Sequence, residues 1–247
     1  MKILALIPAR MGSSRFPGKP MELINGIPMI GHVYKNICNN RNLTRIVVAT
    51  CDEIIFNYIK DIGGEAVMTS KKHNRATDRC AEALKKIEKK DRIKFDIIVM
   101  IQGDEPMVNS NMINKALEPL KNNKKIGVVN LLCKFENLKE FLSPNTIKVI
   151  CDKNSDAIYF TRNLNKKFYY SDNLIIGKQV CIMPFRREFL KKYIKLNPTF
   201  LERHESIDMW RFIEHGYSVK MKKINDLSFA VDTKNDLKKV ENLIKKN

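Results

Sequence analysis

The chain is predicted to form an α/β fold, a mostly parallel sheet with helices on both faces and a small embedded subdomain. Three observations carry this prediction. Strand-like and helix-like segments alternate through the first half of the sequence. Segment 2–9 is a continuous apolar run rather than an alternating one, the mark of a strand covered on both faces, and 95–101 is the strongest buried strand. The 247 residues, 44% hydrophobic and 29% charged, suffice for a core that needs neither disulfides nor metal.

The elements follow in order. Residues 2–9 form the first strand and 28–37 a helix. The run R-I-V-V-A-T at 45–50 is the second strand, and 53–62 is a helix ended by Gly63-Gly64. A short strand at 66–68 precedes a helix at 77–90 with Ala81, Leu84 and Ile87 on one face. Strand 95–101 leads to helix 111–120, whose stripe is Met112, Ile113, Ala116, Leu117 and Leu120. Strand 127–132 completes the regular alternation. Beyond Pro144 strands are expected at 146–151, 157–161 and 178–182, and a helix at 187–195. Residues 163–173 read as an irregular loop, a length that in a compact domain usually serves function. Residues 229–233 read as a strand end entering a last helix at 233–246. Thr233 and Asp236 form a capping box there, with Leu237, Val240, Leu243 and Ile244 turned inward. No repeat or linker interrupts the chain, so 1–247 is expected as one domain with an embedded subdomain at about 134–217.

Composition excludes several functions. The balance of 45 basic and 27 acidic residues gives +18, which raises nucleic-acid binding. The lysines are spread along the chain, aromatics are only 8%, and no nucleic-acid motif occurs, so a solvated basic surface that favours small polyanions is the better reading. The six cysteines and four histidines show no zinc spacing, and buried free thiols fit a reducing compartment. The early apolar run stops at Arg10, too short for a signal peptide or a membrane span, so a cytoplasmic protein without stable membrane association is expected.

Chemistry concentrates at strand ends. After the first strand comes Pro8-Ala9-Arg10-Met11-Gly12-Ser13-Ser14-Arg15-Phe16-Pro17-Gly18-Lys19-Pro20. Two arginines, a lysine, serines and turn glycines at the carboxyl end of a buried strand suit a polyphosphate. The spacing is neither a Walker A loop nor G-x-G-x-x-G. After the strand at 95–101 comes Gln102-Gly103-Asp104-Glu105-Pro106. Asp104 suits magnesium, which takes one or two carboxylates plus substrate phosphates, and Gln102 offers a donor and an acceptor to a base or a sugar hydroxyl. The same five residues are also good turn chemistry. Asp232 is open between a helix cap and a second magnesium ligand.

In chain order, P-A-R-x-x-S-S-R-x-P-G-K-P, Q-G-D-E-P, S-P-N-x-x-K-V and V-D-T-x-x-D-L, spread between Ile3 and Leu237, resemble the cytidylyltransferases that activate acidic sugars, above all those acting on Kdo (3-deoxy-manno-octulosonate). The resemblance implies a GT-A-like nucleotidyltransferase fold and a homodimer. It implies transfer of CMP from CTP to the anomeric hydroxyl of an ulosonic sugar, with release of pyrophosphate. Ala9, Arg10, Ser14, Arg15 and Lys19 then belong to the triphosphate loop, where Lys19 and Arg10 compensate the leaving group. Asp104 and Asp232 match the carboxylates for Mg2+. Arg79 matches an arginine near the cytosine, and Gln102 a position in the nucleotide and sugar pocket. Arg162, Gln179, Glu202 and Glu205 fall on the sugar side, with Arg211 keeping the spacing.

Two departures bear on the sugar. The related loop H-x-S-G-T-D/E-R has Arg75-Ala76 in place of Ser-Gly, and the run H-L-G-I-Y-G-Y-R is here Gln179-Val180-Cys181-Ile182-Met183-Pro184-Phe185-Arg186. Gln179 and Met183 thus replace a histidine and a tyrosine. Kdo is the first expected sugar, and an amino-substituted Kdo or an acylneuraminate-like acid the second. A nucleotide- or sugar-binding homologue without catalysis is the competing class, against which Lys19, Asp104 and Asp232 stand. A glycosyltransferase of related fold would call for Asp-x-Asp where the chain has Gln-Gly-Asp-Glu.

Overall fold

The computed structural model describes residues 1–13 and 15–245. The chain divides into two compact units, Met1–Asn114 with Leu227–Asn247, and Lys115–Asp226. In the first unit β1 (Ile3–Ala9) is buried along its whole length. A small hairpin of β2 (Leu23–Ile24) and β3 (Ile27–Pro28) leads into α1 (Met29–Ile37). Then come β4 (Arg45–Thr50), α2 (Glu53–Asp61), β5 (Ala66–Met68), α3 (Ala76–Asp91) and β6 (Ile97–Ile101). The strands lie in the order β6–β1–β4–β5 and every pairing is parallel. The apolar stripes of the intervening helices cover the sheet, which is why β1 and β6 need no polar face. Each Leu or Ile so buried contributes roughly 1.5–3 kcal/mol, which makes this sheet the rigid base of the unit. Registers Ala9↔Thr50 and Leu6↔Met100 bring the carboxyl ends of β1, β4 and β6 to one edge.

Helix α4 (Ser110–Asn122) carries the chain into the second unit, with Pro119 inside it. That unit holds β7 (Val129–Cys133), α5 (Leu138–Leu142), β8 (Lys148–Cys151), β9 (Ala157–Thr161), β10 (Ile175–Val180), β11 (Ile182–Arg186), α6 (Arg187–Tyr193), α7 (Phe200–Glu205), α8 (Trp210–Glu214) and β12 (Lys220–Ile224). Its sheet runs β12–β7–β10–β8–β9, antiparallel except for β12 on β7. The single strand expected at 178–182 is two strands that meet at Cys181. The uninterrupted apolar run hides that break. Within the expected loop, Lys166–Tyr170 form a 3-10 turn capped by the Asn165 side chain. Tyr169 docks it edge-on against Phe141 of α5, ring centres 5.3 Å apart.

The chain returns to the first unit at Leu227. No strand forms at 229–233, a correction to the sequence reading. Val231 N–H donates to Asp104 O at 2.9 Å and the Ser228 hydroxyl to Glu105 Oε2 at 2.7 Å. These bonds tie the segment to the turn after β6 instead of to a ladder. Helix α9 (Lys234–Lys245) begins with the expected capping box between Thr233 and Asp236. Its Val240, with Leu237, Leu243 and Ile244, packs on Phe16, Ile24, Met29, Phe229 and Val231. Lys246, the expected last residue of this helix, lies outside the described residues. No helix among the described residues is long and apolar enough to cross a membrane.

Candidate active site

In the first unit the chemistry gathers at the carboxyl edge of the sheet, as parallel α/β sheets dictate. The loop after β1 is pinned at several points. Met11 O accepts both Ser13 N–H and Gly18 N–H at 2.9 Å, and Met11 N–H donates to Asp52 Oδ2 at 2.9 Å. Phe16 is buried in the cluster beneath α9. Gly18 holds φ +78°, a left-handed turn that suits glycine, and directs Lys19 back across the sheet edge. After β6, Gly103 allows a close approach, because a Cβ there would stand 3.1 Å from Pro8 O and 3.4 Å from the Ala9 Cβ. The QGDE turn is thereby pressed against the end of β1.

Lys19 joins three separate segments. Its Nζ lies 2.5 Å from Asp104 Oδ2, 3.1 Å from Val231 O and 3.2 Å from Asp232 Oδ1. Arg15 Nη2 reaches Asp232 Oδ1 at 3.0 Å. Burial pulls the Lys19 pKa down, but Asp104 and Asp232 more than reverse this, so it ends above the usual lysine value. The ammonium is therefore charged at any working pH. The helix-cap alternative for Asp232 falls away here. Asp236 caps α9, while the Asp232 carboxylate turns to Lys19 and Arg15.

Asp104 Oδ1 is buried and has no hydrogen-bond partner among the described residues. An orphaned carboxylate oxygen is costly, and a cation in contact with it removes the cost. No group of three or more metal-binding side chains occurs among the described residues. Two carboxylates, one with an unmatched oxygen, fit a hard divalent ion whose other ligands are phosphate oxygens and water. The cluster of Lys19, Arg15, Asp104 and Asp232 is formally neutral, so such an ion would also supply the positive charge a triphosphate needs.

Arg10 and Arg79 meet elsewhere. Arg10 is exposed, yet its Nη1 lies 3.4 Å from His73 O, the same carbonyl that Arg79 Nη2 approaches at 3.4 Å. Arg79 is buried on α3 and donates to Thr69 Oγ1 at 2.5 Å. His73 Nε2 pairs with Glu82, which also accepts from Ser70 N–H at 2.9 Å. Burial pushes the Glu82 pKa up, but bonds from Lys86, Ser70 and His73 outweigh it and bring it to about 2. Loop 69–75 is thus braced from within. Gln102 is half-buried directly after β6, and Ser14 lies outside the described residues.

The second unit holds the remaining candidates. Arg162 Nε donates to Glu205 O at 2.9 Å, and Arg162 N–H to Glu205 Oε2 at 2.9 Å. Glu205 Oε1 accepts from Thr161 Oγ1 at 3.0 Å. Gln179 Nε2 faces Met183 Sδ at 3.9 Å, and its Oε1 is buried without a partner among the described residues. Glu202 differs in kind. It is wholly buried, with both oxygens engaged by Arg211 at 2.6 and 2.8 Å, by the Tyr193 hydroxyl at 3.2 Å and by Thr199 N–H at 3.2 Å. It closes the α7 capping box and balances a buried guanidinium, and so holds α7 in place. The sequence reading passed over Asp52 and Lys148. Asp52 stands just past the carboxyl end of β4, the same edge as the loop it pins. Lys148 was in view only as part of S-P-N-x-x-K-V.

Comparison with known proteins places this geometry. The family model described as cytidylyltransferase matches residues 4–227. The chain is 40% identical over 247 residues to the 3-deoxy-manno-octulosonate cytidylyltransferase of Fusobacterium nucleatum subsp. nucleatum, covering 100% of this chain and 98% of that protein. It is 38% identical to the enzyme of the same name from Trichlorobacter lovleyi, with 99% of each covered. A solved structure of CMP:2-keto-3-deoxy-manno-octonic acid synthetase complexed with CTP aligns with TM-score 0.86 at 31% identity, covering 100% of this chain and 99% of that one.

Proposed function

The chain belongs to the cytidylyltransferase family, and on that footing we propose that it transfers CMP from CTP to the anomeric hydroxyl of Kdo and releases pyrophosphate. The observation that carries the reading is the convergence of Lys19, Asp104 and Asp232 from three distant segments, with one Asp104 oxygen left unmatched among the described residues. The sugar oxygen bonds to the α-phosphorus of CTP as the bond from that phosphorus to the β-phosphate oxygen breaks. The hydroxyl proton goes to solvent, and pyrophosphate carries off the electron pair.

The chain's part is to position the reactants and stabilise developing charge. Lys19, fixed by Asp104, Asp232 and Val231 O, presents a permanent charge to the triphosphate. Arg10 and Arg15, on the same loop, neutralise its outer oxygens. Asp104 and Asp232 would hold a divalent ion, read here as Mg2+, which when bound polarises phosphate and hydroxyl oxygens. Arg79 and the braced loop 69–75 serve the base, with Ala9, Ser14 and Gln102 completing the nucleotide site. Arg162, Glu205 and Gln179 serve the sugar, and Glu202 supports the helix that carries Glu205. We assign these sugar functions, and the contact of a homodimer, to the embedded segment at about 134–217. The edge strand β9, with Ile158 and Tyr159 exposed, supports the dimer reading. Six free thiols agree with a cytoplasmic site of action. A product of this kind would feed the assembly of bacterial surface glycans such as lipopolysaccharide or capsule.

The second sugar is a Kdo-like acid carrying an amino group in place of a hydroxyl, since Gln179 Oε1, without a partner among the described residues, can accept from either group. The test is pyrophosphate release with CTP and magnesium across Kdo, amino-Kdo and acylneuraminate, with ATP, GTP and UTP as controls. Release that requires CTP and Kdo supports the reading. Release with another acid alone moves the assignment to that acid, and CTP binding without release from any of them overturns it.

A further inference from the structure

A second pair of cations, Lys148 and Arg162, is built into the other unit. Lys148 is 1% exposed on β8. Its Nζ donates to Ser143 O at 2.6 Å, Thr146 O at 3.0 Å and Arg162 O at 2.6 Å. Arg162 Nη1 takes the two carbonyls between, Pro144 O at 3.2 Å and Asn145 O at 3.3 Å. All four consecutive carbonyls of the turn 143–146 thus point at two cations. Arg162 is tied in turn to Glu205 through its Nε and its backbone N–H.

We infer that Lys148 is a positioning residue for the sugar substrate, acting through the turn 143–146 and Arg162 rather than by touching the sugar. The inference rests on the reading that Arg162 and Glu205 serve the sugar. An ammonium has three protons and here three carbonyl acceptors, a complete match. A neutral amine has two protons, so its loss of charge leaves one of the three carbonyls unmet and facing the nitrogen lone pair. Facing the ammonium are Arg162 and Glu205, the Phe141 ring at 5.9 Å, and Lys178 across the strand pair, itself neutralised by Glu140. Burial, then Arg162, pushes the Lys148 pKa down to about 8, with Glu205 opposing. The clamp therefore loosens just above neutrality.

The test compares the wild type with Lys148→Arg and Lys148→Met between pH 7 and pH 9.5. It reads hydrogen-exchange protection of Asn145 and Thr146, corrected for intrinsic base catalysis, beside the KM values for Kdo and CTP. In the wild type, protection should fall and the Kdo KM rise by about fivefold or more, while the CTP KM stays within about twofold, as expected for a group about 1.5 units past its pKa. Lys148→Arg, charged throughout, should be flat, and Lys148→Met should behave at pH 7 as the wild type does at pH 9.5. A folded Lys148→Met with wild-type protection and Kdo KM overturns the inference. If Lys148→Met fails to fold, matching wild-type and Lys148→Arg profiles overturn it. A turn that loosens as expected in a chain that releases no pyrophosphate upholds the clamp and sinks the activity reading alone.

Discussion

Lys19 Nζ and Asp104 Oδ2 stand 2.5 Å apart although 85 residues separate them in sequence. The contact uses one carboxylate oxygen and leaves Oδ1 buried and without a partner among the described residues. Asp104→Asn keeps the shape and removes the charge that a divalent ion needs. Turnover should fall by about 10²–10³-fold or more, in line with loss of a preorganised electrostatic group. The melting temperature should fall modestly, because Asp232 still faces the Lys19 ammonium. Initial rates of pyrophosphate release and a thermal melt check both, and wild-type turnover would refute the metal assignment.

Gly103 sits where any side chain meets backbone. A Cβ would lie 3.1 Å from Pro8 O and 3.2 Å from Ile30 Cδ1. Gly103→Val should force the QGDE turn off the sheet edge at a cost of about 1–3 kcal/mol. Because Asp104 is the next residue, activity should fall further than stability alone explains. Urea unfolding paired with kcat measured well below the melting temperature separates the two effects.

Glu202 and Arg211 form a bidentate pair, both almost wholly buried. Glu202→Gln leaves the guanidinium without its counter-charge and should destabilise by about 3–5 kcal/mol. At low temperature, where the variant is folded, the Kdo KM should remain within about twofold of the wild type. A large rise in KM with unchanged stability would make Glu202 a sugar ligand instead.

Glu82 is held at a pKa of about 2 in the folded chain. A depressed carboxylate pKa stabilises fully above the unfolded value near 4.5, and that contribution fades as pH falls toward 2. With solvent screening the contribution is about 1 kcal/mol. Glu82→Gln should therefore lower stability at pH 7 and flatten its decline between about pH 5 and 2. Denaturant midpoints across that range provide the check.

The parallel core was legible because strands covered on both faces need unbroken apolar runs, as in Ile3–Ala9 and Ile97–Ile101. The helices α5, α7 and α8, of five or six residues, never complete two turns and so leave no periodicity to read. Strand β12, K-M-K-K-I, hides its two buried residues among lysines. In the site, Lys19 and Asp104 were visible from their places after buried strands. The contacts of Asp232 were not, since a carboxylate at the start of a helix suits a cap as well as a cation, and its partners Lys19 and Arg15 lie more than 200 residues away. Glu202 shows the converse limit. A glutamate at a familiar spacing reads as a ligand until its partners Arg211, Tyr193 and Thr199 are seen around it.

The pairing of Lys19 with Val231 and Asp232 also bears on how the molecule comes into being. More than 200 residues lie between these groups in sequence. During synthesis β1, β6 and their loops emerge from the ribosome early, but the carbonyl and carboxylate that orient Lys19 follow only after the whole of Lys115–Asp226 has been translated. A nascent chain thus carries a basic loop with half of its counter-charges missing. The full set of contacts that fixes Lys19 is complete only once Val231 and Asp232 have been made, which makes the orientation of that side chain a reporter of completed folding.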